Sequence, residues 1–167
     1  KFDMVVLQHE IPLETVHYVI EFCYEKGIKI VLNPAPAAAV PMEIIDKVTY
    51  VTPNEHEAVL IFGDELSTED LLRKYPEKLV ITQGSRGVST CLKDGQILNV
   101  PARKAQVVDT TGAGDTLNGA FSVQIAEGKA IEDALAYANV AASLSTEKFG
   151  AQTGMPTAEE VETELKK

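Results

Sequence analysis

The sequence predicts a three-layer α/β fold with a mostly parallel sheet and an antiparallel edge hairpin. Three observations predict it. Short apolar runs alternate with segments of helical apolar spacing, the pattern of parallel strands joined by crossover helices. The pair Asp94-Gly95 separates two later apolar runs and marks a hairpin. The 167 residues, 45% of them hydrophobic, suffice for one domain with its own core, and no linker or internal repeat divides them.

Each element follows in order. Met4–Leu7 reads as a short buried strand. Leu13–Lys26 is a helix, with Val16, Val19, Ile20 and Tyr24 at helical spacing and Gly27 ending it. Ile28–Leu32 is a second buried strand. Asn33–Met42 is too rich in Pro and Ala for a regular element and reads as a loop. Val48–Val51 is a third strand, followed by a helix from Asn54. Leu79–Thr82 is a fourth strand, and Val88–Leu92 with Gln96–Val100 form the hairpin. Three helices complete the chain: Gly114–Ala126, Ile131–Thr146 and Ala158–Lys166. In such sheets ligands sit beyond the carboxyl ends of the strands.

Composition narrows the function classes. The formal net charge is −10, with 15 Lys and Arg against 25 Asp and Glu and no basic cluster. That balance argues against nucleic acid and anionic membrane as partners. A small phosphate ligand is compatible with it, because backbone N–H groups hold anions without net positive charge. No apolar run has the length of a bilayer span, and the first residues do not read as a signal peptide. Cys23 and Cys91 make neither a disulfide framework nor a zinc site, and His9, His17 and His56 are scattered. The expected compartment is the cytoplasm. The chain opens on Lys1 and runs directly into the strand-like DMVVLQ, which reads as a cut inside a longer protein.

The segment Val108–Thr116 carries the strongest chemical signal. Gly112 and Gly114 permit a tight turn with exposed amides, and the following helix brings its positive end to the same place. Leu117, Ala120, Phe121 and Ile125 form an apolar stripe that anchors that helix. The result is an anion hole at a helix N-terminus, with the Asp115 carboxylate beside it. Asp115 reads either as a catalytic group or as a helix cap.

The string DTTGAGDTxxGAF, Asp109–Phe121, resembles the second signature of the ribokinase or PfkB family of carbohydrate and nucleoside kinases. It is neither the P-loop nor the dinucleotide fingerprint. Four more segments match the family in order. Gln8-His9-Glu10-Ile11-Pro12 resembles a QxExP segment whose Glu contacts the sugar. Asn33-Pro34-Ala35-Pro36-Ala37 is characteristic of the ribose-specific members. Thr52-Pro53-Asn54-Glu55-His56-Glu57 looks like TPNExE, and Thr82-Gln83-Gly84-Ser85-Arg86-Gly87 like TxGSxG. Taken alone, Asn54 with Glu57 also reads as a capping box, and Thr82–Gly87 as a plain turn.

The resemblance implies a Rossmann-like, ribokinase-like α/β/α fold whose N-terminal part and β lid are not in this chain. It implies transfer of the ATP γ-phosphoryl group to a primary sugar hydroxyl, D-ribose first. A fructokinase, an adenosine kinase or a non-catalytic nucleotide-binding domain are the alternatives. Asp115 would be the base, and the Gly112, Ala113 and Gly114 amides the anion hole. Asn54 and Glu57 would organise hydrated Mg²⁺ and phosphate. Thr82, Gly84, Ser85 and Gly87 would lie under the nucleotide phosphates. Asn139 would lie near adenine, or serve a structural hydrogen bond. Glu10 would hold the sugar. K⁺ would sit behind the anion hole on oxygens of Asp109, Thr111, Ser145, Lys148, Gly150 and Gly154, the last four in or beside Lys148-Phe149-Gly150-Ala151-Gln152, which resembles the family's KGAQ loop. The plain reading of that loop is a helix end capped by Gly150. The resemblance further implies a full-length homodimer formed through the lid, and an isolated chain that is inactive.

Overall fold

The computed structural model describes residues 2–167; Lys1 lies outside them. The chain divides into two compact units. The first comprises residues 2–83 and 89–99, and the second residues 84–88 and 100–167.

In the first unit the apolar runs become strands and the amphipathic segments become helices. β1 (Met4–Gln8), β2 (Lys29–Asn33) and β3 (Tyr50–Val51) form a parallel sheet. β1 pairs with β2 from Met4 opposite Lys29 to Gln8 opposite Asn33, and β2 pairs with β3 at Val31 opposite Tyr50. β2, with neighbours on both sides, is buried at four of its five positions, as a central parallel strand requires. β4 (Val80–Thr82), β5 (Val88–Cys91) and β6 (Ile97–Val100) form an antiparallel sheet. Parallel bridges at Val51–Leu79 and Asn54–Thr82 join the two sheets edge to edge. The Lys93–Gly95 turn closes as expected: the Gly95 N–H donates to the Leu92 carbonyl, and the Asp94 carboxylate accepts from the Gln96 N–H.

α1 (Leu13–Glu25) presents Val16, Ile20 and Cys23 to a core that includes Ile30, Leu32, Ile45, Val51, Leu72 and Leu79. Tyr24, expected on that face, turns to solvent. Two short helices were not legible in the sequence. α2 (Met42–Lys47) starts inside the stretch read as a loop and buries Ile44 and Ile45. It ends at Val48, so β3 keeps only Tyr50 and Val51 of the strand expected from Val48. α4 (Thr68–Lys74) is capped by Ser67 and buries Leu71 and Leu72. Helices of six and seven residues span two turns or less, too few for a periodic pattern to stand out. α3 (Glu55–Phe62) starts where Asn54 predicted it.

In the second unit, Gly84–Arg86 is a single 3₁₀ turn. α5 (Ala113–Ala126), α6 (Ile131–Ser145) and α7 (Ala158–Leu165) pack in sequence, α5 on α6 and α6 on α7. Their core holds Leu117, Phe121, Ile125, Leu135, Ala138 and Val161. Ala120, expected in the α5 stripe, is only half-buried, while Thr116, Asn118 and Ser122 are buried instead. These polar side chains enter the core because each donates back to a carbonyl four residues earlier. No helix among the described residues is long and apolar enough to cross a membrane.

Candidate functional site

The first unit gathers three motif segments at the carboxyl ends of its parallel strands. The Asn33 side chain, at the end of β2, donates to the Thr52 carbonyl at 3.1 Å and accepts from Gln8 at 3.1 Å. One amide therefore ties the ends of β1, β2 and β3 together. The loop after it is fastened by His9, whose backbone N–H donates to the Ala35 carbonyl at 2.8 Å. Its ring Nδ1–H donates to the Pro36 carbonyl at 3.2 Å. In the Asn-Pro-Ala-Pro-Ala string, Asn33 supplies the tie, and the Ala35 and Pro36 carbonyls accept from His9. His9 Nε2 is buried without a hydrogen-bond partner among the described residues. Burial pushes the His9 ring below its ordinary pKa and the charge of His17 adds to this, against the Pro36 carbonyl and Glu57. Glu10, next in sequence, is exposed.

Asn54 and Glu57 form the capping box of α3. The Asn54 side chain accepts from the Glu57 N–H at 2.9 Å, and the Glu57 carboxylate accepts from the Asn54 N–H at 2.8 Å. The plain reading of the pair is therefore realised, and Glu57 is 6% exposed. The parallel bridge to Thr82 brings the second motif to the first. A chain of side chains reinforces it: Gln83 reaches Glu55 at 3.4 Å and accepts from Ser89, which accepts from Asn99.

In the second unit, Gly87 donates to the Gly84 carbonyl at 3.0 Å, closing the turn on which Ser85 is exposed. Gly87 has φ +95°, and a Cβ there would be driven into the Val100 carbonyl. Asn139, 5% exposed, donates to the Pro101 carbonyl at 2.7 Å, so the buried amide has the partner its position demands.

α5 begins at an open turn. Its N-cap is Gly112, with φ +79° and no capping side chain. Asp115 is therefore the third residue of the helix rather than its cap, and it is exposed. The Ala113 N–H makes a long bond, 3.2 Å, to the Thr110 carbonyl, and a bond of that length can be shared with a second acceptor. The carbonyls of Gly112 and Gly114 are engaged by Thr116 and Asn118 at 2.9 Å each. The turn is thus rigid on its carbonyl side while its helix dipole points outward. The signal for this was in the sequence: Thr116 and Asn118 each stand four residues after a glycine.

Behind the turn lies the loop after α6. Asp109 accepts from the Thr111 N–H at 2.9 Å and from the Gly150 N–H at 3.0 Å. The Thr111 hydroxyl, then the two N–H groups, hold its carboxyl below the usual carboxylate range. Ala151 packs against Gly112 so closely that a Cβ on Gly112 would lie 3.0 Å from it. Around Gly154 three carbonyls converge. A Cβ there would lie 2.7 Å from the Ser145 oxygen, 2.8 Å from that of Gly150 and 3.4 Å from that of Lys148. Such a set of neutral oxygens beside one carboxylate suits a hard monovalent cation. Among the described residues no three His, Cys, Asp or Glu side chains group as a metal site.

A model of the pfkB family of carbohydrate kinases matches residues 1–158. The chain is 54% identical over 162 residues to the ribokinase of Bacillus subtilis, covering 97% of this chain and 55% of that protein. The solved ribokinase of Thermotoga maritima superposes with a TM-score of 0.86 at 36% identity, covering 99% of this chain and 57% of the other. The Arabidopsis thaliana ribokinase, solved with ribose and ATP, superposes with a TM-score of 0.88 at 30% identity over 99% and 56%. The chain spans about half the length of the relatives it matches.

Proposed function

The chain belongs to the pfkB family of carbohydrate kinases, and we propose that it carries the phosphoryl-transfer half of a kinase that makes D-ribose 5-phosphate from D-ribose and ATP. The observation that carries this reading is the open N-terminus of α5, with exposed Asp115 one turn inside it. Phosphoryl transfer needs placement and charge stabilisation more than covalent chemistry. The Gly112, Ala113 and Gly114 amides would stabilise charge developing on the transferred group. Asp115 would accept the proton of the attacking hydroxyl. Glu10, exposed beyond β1, would hold a second sugar hydroxyl.

Thr82, Gly84, Ser85 and Gly87 would line the nucleotide phosphates, where Gly87 admits no side chain. Asn139, committed through its amide nitrogen to Pro101, would shape the wall beside adenine. Mg²⁺ suits this chain as a hydrated ion brought with ATP, because Asn54 and Glu57 each use one oxygen in the cap and form no all-protein cage. K⁺ would be held by oxygens of Asp109, Thr111, Ser145, Lys148, Gly150 and Gly154. When bound, it supplies fixed positive charge that orders the anion turn. The B. subtilis and Arabidopsis proteins named as ribokinases support ribose over other sugars.

Release of ADP by the full-length protein, measured with ATP against ribose, fructose and adenosine, tests the reading. Ribose is expected to be the preferred acceptor. Faster turnover of fructose or adenosine would place the protein elsewhere in the family. No turnover with any acceptor, with ATP still bound, would make it a nucleotide-binding module.

A further inference from the structure

We propose that Arg103 is a positioning residue for the monovalent-cation cradle, setting the affinity for the ion through Glu147 without touching ion, sugar or nucleotide; this rests on the K⁺ reading above. Residues 101–110 have no regular secondary structure, yet they carry Asp109 to its place. Their course is set by contacts to the end of α6 and the turn beyond it. The Arg103 guanidinium forks between two carboxylates, Nη1 to Glu147 at 2.7 Å and Nε to Glu164 of α7 at 2.9 Å. The same Glu147 oxygen also accepts from the Gln106 N–H at 3.3 Å. The Thr146 carbonyl accepts from the N–H groups of Val108 and Asp109, at 2.8 and 3.1 Å. Asp109 then closes the series on the Gly150 N–H.

Glu147 lies between Ser145 and Lys148, two of the three residues whose carbonyls converge around Gly154. A carbonyl direction is a backbone torsion, so whatever holds Glu147 in place also aims its neighbours' oxygens. The three side chains of the Arg–Glu–Glu group are 24%, 28% and 18% exposed, which shields them from the screening that weakens surface pairs. The planar fork of arginine suits two carboxylates at once, whereas lysine offers a point charge. By contrast Lys167, which among the described residues pairs with Glu164, is 68% exposed.

The test uses the full-length protein at constant ionic strength, with tetramethylammonium replacing K⁺. Two readouts are taken across a K⁺ titration: phosphorylation rate and thermal midpoint of the enzyme without substrates. For Arg103→Met we expect the half-saturating K⁺ to rise roughly tenfold in both, with the rate at saturating K⁺ and the KM for ribose near wild type. Arg103→Lys and Glu147→Gln should fall between, and Lys167→Ala should match wild type. If Arg103→Met does not fold, the lysine and glutamine variants decide the matter. A midpoint lowered equally at every K⁺ concentration, with unchanged half-saturation, would show a structural ion pair and overturn the proposal. A wild-type protein flat in both readouts would remove the cation reading itself and this proposal with it; a responsive wild type with variants of the same half-saturating K⁺ would remove this proposal alone.

Discussion

Two helix N-termini in this molecule are built in opposite ways. α3 is closed by its own side chains: Asn54 and Glu57 exchange hydrogen bonds with each other's backbone at 2.9 and 2.8 Å. α5 starts at Gly112, which has no side chain to offer, in a left-handed turn. The first turn of any helix leaves N–H groups without intrahelical partners. At α3 the sequence satisfies part of them locally, which stabilises the helix by about 1 kcal/mol. At α5 no side chain caps the end; instead Thr116 and Asn118 fasten the carbonyls of the turn, and the Ala113 N–H donates to the Thr110 carbonyl. The α3 end is held by side chains on its amide side, and the α5 end by side chains on its carbonyl side.

The largest effect that would sharpen this contrast is at Asp115. In the full-length enzyme, Asp115→Asn should lower kcat by about 10²–10⁴-fold while leaving ATP affinity nearly unchanged, because the amide keeps the shape and cannot take the proton. A rate close to wild type would make the open end of α5 a structural feature. Next is Gly112→Ala. The left-handed backbone alone costs a side chain roughly 1–2 kcal/mol, and the new Cβ would also press on Ala151. Urea unfolding should show a lowered midpoint and ATP binding should weaken; unchanged values for both would mean the turn is free to rearrange.

At α3 the expected loss is smaller and of a different kind. Asn54→Ala should cost about 1 kcal/mol by removing the cap, and Asn54→Asp should restore it. If the Mg²⁺ requirement also rises in the alanine variant, the residue serves both ends. If only stability changes, Asn54 is a cap alone. The smallest effect is at His9. Burial lowers its pKa in the folded chain, so the unfolded chain binds the proton more readily. Its contribution to stability is complete above the ordinary histidine value of about 6.5 and is lost as pH falls through that value towards the depressed folded one. The Pro36 carbonyl and Glu57 favour the proton on His9, and His17 opposes it. Between pH 7.5 and 5.5 the full-length wild type should lose more stability in urea than His9→Leu; equal losses would show that His9 titrates normally.

The sequence by itself determined whatever depends on near neighbours. Apolar alternation placed β1, α1 and β2, and Asp94-Gly95 placed the hairpin, because strand period and turn preference are properties of a few consecutive residues. The α3 cap was legible for the same reason, since Asn54 and Glu57 stand three apart; at α5 the sequence offered Asp115 as a cap, and the structure places the cap at Gly112. Only the tertiary structure decided the rest. The burial of Thr116, Asn118 and Ser122 in place of a purely apolar face depended on how α5 packs in the folded chain. The tie of Asn33 to both Gln8 and Thr52 requires three strand ends side by side. The carbonyls that meet around Gly154 belong to residues 145, 148 and 150, and a backbone oxygen carries no residue identity. Arg103 and Glu147 are 44 positions apart, and nothing in either residue's own neighbourhood names the other. Local chemistry is written in adjacent letters; a cradle of backbone oxygens exists only once the chain has folded around it.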